Sequence, residues 1–290
     1  MEEERLKYLE ESISRYLEYL NTQEGLWVSV HLKMELGAFF RDFPEIGYYN
    51  NHYHAYCMAV KSNRYLHEKC VQCQKMVLKH RTQERFFCGS CYAGVKELVF
   101  FLFYRGERVG FLSVSGYAGE QRNTKEQTIA EFVSEKSSAA GFLGEPFFYE
   151  QLKKQEPPAA LCRQLLPPLV ICLEELFAGW MQLPGRECQD ENDRILAYME
   201  NHYTHLTLEE VAKVFHKSKS SISHAFKKKN GLTLKAYCNR LKLRDAAWLL
   251  KHTDLPVTQV ALSAGFESLS YFISLFCEAY GDTPSRYRQG

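Results

Sequence analysis

Thr207-Leu-Glu-Glu-Val-Ala-Lys-Val-Phe-His-Lys-Ser218, continued by Ile222-Ser-His-Ala-Phe-Lys-Lys-Lys-Asn-Gly231, reads as two short helices joined by a tight turn. Val257-Thr-Gln-Val-Ala-Leu-Ser-Ala-Gly-Phe266 and Leu269-Ser-Tyr-Phe-Ile-Ser-Leu-Phe276 repeat the plan nearer the end of the chain. A helix-turn-helix places its second helix in the DNA major groove, so two in tandem point to a reader of DNA.

In the first unit Thr207 and Glu210 form a capping box, each side chain satisfying a backbone N–H of the other. Leu208, Val211, Ala212 and Phe215 then make one apolar face at helical spacing. Ala212 is small where the second helix crosses closely. His216 falls at the turn, where a residue that tolerates positive φ is wanted, and His is among those enriched there. Ser218 caps the next helix, Ile222, Ala225 and Phe226 form its inner face, and Gly231 ends it. Lys219, Ser220, Ser221, Ser223, His224 and Lys227 remain for the outer face. Short hydrogen-bonding groups flanked by cations suit base edges and phosphates. The competing reading is an ordinary helical bundle with a solvated basic face.

In the second unit Pro256 suits a helix start, Ala261 and Gly265 are small at the turn, Ser268 caps, and Phe272 and Phe276 fill the core. Thr233 caps a long helix between the units, with Leu234, Tyr237, Leu241, Ala246 and Leu249 inside. One rigid helix holds both readers at a fixed separation, and successive major-groove faces lie ~34 Å apart. Thr283-Pro-Ser285 opens a last short helix.

These residues resemble the AraC/XylS family of bacterial transcription regulators over residues 190–290. The match rests on Leu208–Ala212, Phe226-Lys-Lys, Gly231, Arg244-x-Ala246, Val260-Ala261, Gly265-Phe266, Tyr271-Phe272, Phe276, Gly281 and Thr283-Pro-Ser285. The resemblance implies promoter binding to double-stranded DNA and contact with RNA polymerase. It places base-reading positions on Ser220, Ser221, Ser223 and His224, and on Leu269, Ser270, Ile273 and Ser274. The family usually carries a basic residue where Ser274 stands, and Lys or Arg where Cys277 and Glu278 stand. The second reading helix thus lacks a cation on its DNA-facing side. Leu269 and Ile273 suit thymine methyls, but phosphate grip falls to the first unit.

The chain has 290 residues and a formal charge of +1, with 46% hydrophobic and 14% aromatic residues. Two domains, each with its own core, fit that length. Residues 189–290 carry 14 Lys and Arg against 11 Asp and Glu, whereas residues 1–188 carry 22 against 24. A weakly basic domain is no electrostatic proof of DNA binding, so the motif carries that inference. No apolar run is long enough to span a membrane. Met-Glu-Glu-Glu-Arg5 is the opposite of a signal peptide. Ten Cys without a secretory signal argue for reduced thiols in a cytoplasm.

Residues 1–150 read as a mixed α+β sensory or ligand-binding domain. Leu6, Leu9, Ile13, Leu17 and Leu20 predict an amphipathic helix over residues 3–20. Leu98–Tyr104 and Val109–Val114 predict antiparallel strands across the Arg105-Gly-Glu-Arg108 turn. Helical composition returns at Lys125–Ser138, and breaks fall at Gly144-Glu-Pro146 and Glu156-Pro-Pro158. Residues 151–189 read as a helical segment. Leu161, Leu165, Leu169, Cys172, Leu176 and Trp180 lie on one side, and Pro167-Pro168 are expected to kink or split it. This helix either packs on its own domain or serves a homodimer or signal transmission. Pro184 to Gln189 would be the linker.

Cys70-x2-Cys73 and Cys88-x2-Cys91 form two pairs, with Cys57, His52 and His54 upstream. Two short pairs can offer four thiolates to one tetrahedral zinc. A reversible redox switch and burial as small apolar residues are the rival uses. The aromatics Phe39, Tyr48, Tyr56, Phe87 and Tyr92, with His52 and His54, suggest an effector pocket, since ligand sites combine apolar walls with a few polar groups.

His67-Glu-Lys-Cys70, Phe87-Cys-Gly-Ser-Cys91-Tyr-Ala-Gly94-Val-Lys-Glu97 and Gly106-Glu-Arg-Val-Gly110-Phe-Leu-Ser-Val-Ser-Gly116 resemble the PocR-type sensory domain. That resemblance implies a PAS-like fold and a small effector such as a diol or similar hydrocarbon derivative. Tyr92 stands where that family usually has His. A bacterial DNA-repair family joins a four-Cys zinc domain to an AraC-type reader, but its cysteine spacing differs and its Pro-Cys-His-Arg acceptor is missing here. No catalytic motif is found, so a regulator, not an enzyme, is expected.

Overall fold

A computed structural model describes residues 2–119, 152–184 and 191–290. They fall into two compact units, residues 1–33 with 39–187, and residues 34–38 with 188–290.

In the first unit a long helix, α1 (Glu2–Thr22), buries Leu6, Ile13, Leu17 and Leu20. Leu9 is only half-buried, and Glu10 is buried beside it. The Glu10 carboxylate accepts the backbone N–H of Glu45 at 3.0 Å, a helix-start donor that would otherwise lack a partner. Then follow β1 (Val28–Leu32), the short helices α2 (Ala38–Asp42), α3 (Pro44–Gly47) and α4 (Ala55–Lys61), and the longer α5 (Arg64–Leu78). Strands β2 (Phe86–Ser90), β3 (Val95–Tyr104) and β4 (Glu107–Ala118) complete an antiparallel sheet of order β1-β4-β3-β2. The expected hairpin closes on Arg105 and Gly106, at φ 49° and 82°. Two positive φ values make the turn whose twist matches its strands, which is why Gly stands there. Phe101 pairs with Phe111 across it.

The last helix of this unit, α6 (Ala159–Gln182), packs on α1 and β3. It runs through Pro167 and Pro168 without a break, contrary to the expected split. Both prolines face solvent, as do Arg163 and Gln164, whose carbonyls the prolines leave without an intrahelical donor, so water can reach those groups. The buried stripe is also rotated from the expected one, to Cys162, Leu166, Leu169, Leu173, Leu176, Phe177 and Trp180. The expected helix at Lys125–Ser138, the break at Gly144–Pro146 and the linker from Gly185 to Gln189 lie outside the described residues.

The second unit is all helical. It comprises α7 (Glu191–His202), α8 (Leu208–Val214), α9 (Lys219–Asn230), α10 (Leu234–His252), α11 (Val257–Ser263), α12 (Leu269–Tyr280) and α13 (Pro284–Gln289). One core joins Ile195, Leu196, Met199, Val211, Ile222, Phe226, Tyr237 and Leu241. In the other, Phe272 packs on Phe266 and Phe276, and Phe276 on Tyr287. Each fully buried Phe contributes roughly 1.5–3 kcal/mol through apolar burial. The long α10 serves both cores, and all five inner positions named from the sequence are buried. No helix among the described residues is long and apolar enough to cross a membrane.

Candidate functional site

Two places carry chemistry, one in each unit. In the helical unit the sequence builds the same device twice. Thr207 Oγ1 accepts the N–H of Glu210 at 3.2 Å and the Glu210 carboxylate accepts that of Thr207 at 3.0 Å, completing the capping box that starts α8. The turn then places His216 at φ 53°. Ser218 Oγ accepts the N–H of Ser221 at 3.1 Å and starts α9, which ends on Gly231 at φ 72°. The second copy turns on Gly265 at φ 87°. Ser268 Oγ caps α12 by accepting the N–H of Tyr271 at 3.3 Å, and Gly281 ends it at φ 75°. Ile222 and Phe226 on α9, and Phe272 and Phe276 on α12, are the buried anchors. With one face pinned at four-residue spacing, the opposite face must look outward.

On that outward face of α9, Lys219, Ser220, Ser221, His224 and Lys227 are exposed and Ser223 is half-buried. On α12, Leu269, Ser270 and Ser274 are exposed and Ile273 is half-buried. Lys219 lies 3.3 Å from Glu209, an exposed pair worth little. Lys227, Lys228 and Lys229 close α9, where cations also oppose the negative helix end. α12 carries no basic residue in its last turn.

Behind the readers sits a buried ionic network that the sequence did not disclose. Arg244 lies 4.0 Å from Glu200 and 3.7 Å from Asp245. Tyr237 donates its hydroxyl to Glu200 at 2.8 Å, and Tyr203 donates to Asp245. The network ties α7 to α10 and fixes the first reading unit.

A family profile described as a helix-turn-helix domain matches residues 211–290. Residues 211–290 are thus similar to a helix-turn-helix domain. The chain is 29% identical over 191 residues to an uncharacterized HTH-type transcriptional regulator, YijO, of Escherichia coli K12, covering 66% of this chain and 65% of that protein. It is 36% identical over 99 residues to the HTH-type transcriptional activator RhaS of Enterobacter sp. strain 638, covering 34% and 36%. Among solved structures, the C-terminal domain of the two-component response regulator yesN from Fusobacterium nucleatum is 32% identical, with TM-score 0.31, covering 32% of this chain and 93% of that one. The chain thus spans less than two thirds of the length of either curated relative.

In the first unit a cavity of about 320 Å³ opens between α4, α5, β2, the turn after it and β3. His52, Tyr56, Phe87 and Tyr92, four of the seven pocket residues inferred from sequence, line it. The other three lie elsewhere. Phe39 is core, packed on Phe43, Phe177 and Trp180. His54 caps α4 by accepting the Tyr56 N–H at 3.3 Å and lies edge-on to Trp27. Tyr48 is a half-buried cap after α3. Tyr92 latches its turn to α5: its hydroxyl donates to Leu66 O at 2.5 Å and lies 3.4 Å from Cys70 Sγ.

Cys70, Cys73, Cys88 and Cys91 all line this cavity, joined by Cys57. They do not form the expected tetrahedral site. Cys70 and Cys73 belong to a continuous helix and Cys88 to an edge strand. Among the described residues no group of three or more His, Cys, Asp or Glu side chains converges to hold a metal ion. Burial pushes the thiols of Cys57, Cys70 and Cys91 up.

Sequence reasoning missed Lys61, Glu97 and Gln74 of the wall. Lys61 lines the cavity and donates to Asn51 Oδ1 at 3.0 Å. Glu97 is buried in β3, and loss of solvent pushes its carboxyl up to about 7, against the opposing pull of Lys61. His52 Nδ1 stands 3.9 Å from Glu97, while His52 Nε2 lies 2.6 Å from Ser113 Oγ and 3.0 Å from His31 Nε2. Burial lowers His31 to about 3 and holds His52 well below its ordinary value, so both rings are neutral. Gln74 contacts His31 Nδ1 at 3.3 Å. The signal available was a charge at the edge of an apolar run: Lys61 directly after Ala55–Val60, and Glu97, which follows Lys96 and directly precedes Leu98–Tyr104.

Proposed function

We propose that the chain is a one-component transcription regulator. It binds promoter DNA through α9 and α12 and responds to a small molecule held in the cavity of its first unit. The observation that carries the DNA half is the outward face of α9, where Ser220, Ser221, Ser223 and His224 stand between Lys219 and Lys227 on a helix pinned by Ile222 and Phe226. The two curated relatives are by name HTH-type transcriptional regulators. The effector half rests on a cavity with mostly apolar walls and a few convergent polar groups, Lys61, Glu97, His52 and Gln74. The PocR-type resemblance favours a PAS-like sensory role and a small diol or similar hydrocarbon derivative. The AraC/XylS resemblance implies contact with RNA polymerase, and α6 offers a route to a homodimer.

The test uses the full chain. Promoter fragments selected from a genomic pool should compete far better than random duplex. A screen of small alcohols, diols, amines and sugars should yield a compound that raises Tm by mass action. No preference over random duplex removes the regulator reading, and a silent screen removes the effector reading.

A second reading is a thiol sensor, favoured by five cysteines that line one cavity. Oxidant should then change DNA affinity without any small molecule, and loss of that response in Cys70→Ser would locate it.

A further inference from the structure

Between the two reading helices lies a groove of about 680 Å³. One rim carries Ser223 of α9, the other Ser268 and Tyr271 at the start of α12, and Lys235, Asn239 and Lys242 of α10 form the floor. The rims therefore belong to the same outward face as the reading residues. We infer that the sugar-phosphate backbone crossing between the two major-groove contacts lies in this groove, its phosphates held by Lys235, Lys242 and the Tyr271 hydroxyl. The inference rests on the DNA reading above.

Helices entering successive major grooves leave a stretch of backbone between them. That stretch carries about one negative charge per 3.4 Å of helix axis on each strand. The groove meets it with two lysines and one acid, Glu267. Lys235 is exposed, its ammonium 5.5 Å from the Tyr271 ring centroid. Lys242 donates to Gly265 O at 2.8 Å. Burial disfavours its charge, and an anion at the groove would restore the compensation that water supplies elsewhere. Tyr271 accepts a hydrogen bond from Asn239 at 2.9 Å, which leaves its own O–H free to donate outward. The groove also resolves a deficit. α12 has no cation on its reading face, and Lys235 and Lys242 of the neighbouring helix supply the missing charge.

Counterion release gives the readout. Each phosphate neutralised by a lysine adds about 0.9 to the slope of log affinity against log salt. Binding of the full chain to a labelled random duplex, followed by anisotropy between about 50 and 200 mM salt, measures that slope. Lys235→Gln, on an exposed side chain that leaves the fold intact, should flatten it by about 1, and adding Lys242→Gln by about 1 more. Tyr271→Phe should weaken binding without changing the slope. Lys75→Gln, an exposed charge in the other unit, should change neither. An unchanged slope in Lys235→Gln, or a loss equal at every salt concentration, overturns the inference while the regulator reading stands. If the unaltered chain binds no duplex at all, the regulator reading falls and takes this one with it.

Discussion

Glu97 is a carboxyl group on the central hairpin with almost no access to water. Burial is the main reason it holds its proton to about pH 7, and the Lys61 charge pulls the other way. The folded chain therefore binds a proton that the unfolded chain has released above about pH 4.5. The stability this proton confers is complete below that value. It is lost as pH rises towards 7 and does not return above it. Glu97→Gln removes the titration. Urea unfolding at pH 5 and pH 8 should show the variant gaining on the unaltered protein by about 2–3 kcal/mol across that interval. Because the neutral His31 and His52 titrate in the opposite sense in both proteins, only the difference between the two is diagnostic. A constant difference would mean that Glu97 is charged at pH 5 and that Lys61 governs it. Lys96 precedes this Glu, so in the local sequence only the apolar run Leu98–Tyr104 after it distinguishes it from a solvated one.

At the scale of elements, the two reading helices share one framework but not one surface. Ser218 and Ser268 cap them, and Gly231 and Gly281 end them. Their outward faces differ: hydroxyls, an imidazole and lysines on α9, and Leu269 and Ile273 with serines on α12. Base-edge hydrogen bonds discriminate by about 1–3 kcal/mol for a good pair, and an apolar methyl contact is worth less. Alanine at His224 should therefore cost more affinity for a selected promoter fragment than alanine at Leu269. The reverse order, measured by competition at one salt concentration, would assign the anchoring role to α12. This framework was legible in the sequence because caps, turn residues and four-residue spacing are local. His216 was read as the turn residue and has the required positive φ. The path of α6 was not legible in the same way. Two prolines in sequence signal a break, but the cost of proline depends on whether its face meets solvent, and that is decided by α1 and β3.

At the scale of the molecule, each unit has its own core, and an effector can matter only if it binds two states of the chain with different affinity. The sequence disclosed which residue types would line an effector pocket, yet not which side of each element would face it. His54 was diverted to cap a helix and Phe39 to fill the core, while Lys61 and Glu97 entered the wall unannounced. Cavity occupancy can be tested apart from DNA binding. Cys73 is half-buried on α5 and lines the cavity. Cys73→Phe projects a ring into that space, at a cost of about 1–3 kcal/mol where the wall cannot yield. The variant should lose the Tm increase given by any compound found in the screen, because the ring takes the compound's volume. Its affinity for random duplex should stay within twofold of the unaltered chain, about 0.4 kcal/mol, because the reading faces belong to the other unit. A variant that keeps the full Tm response would place the effector outside this cavity. One that loses the response and duplex binding together would show that the two units do not act as separable binding sites.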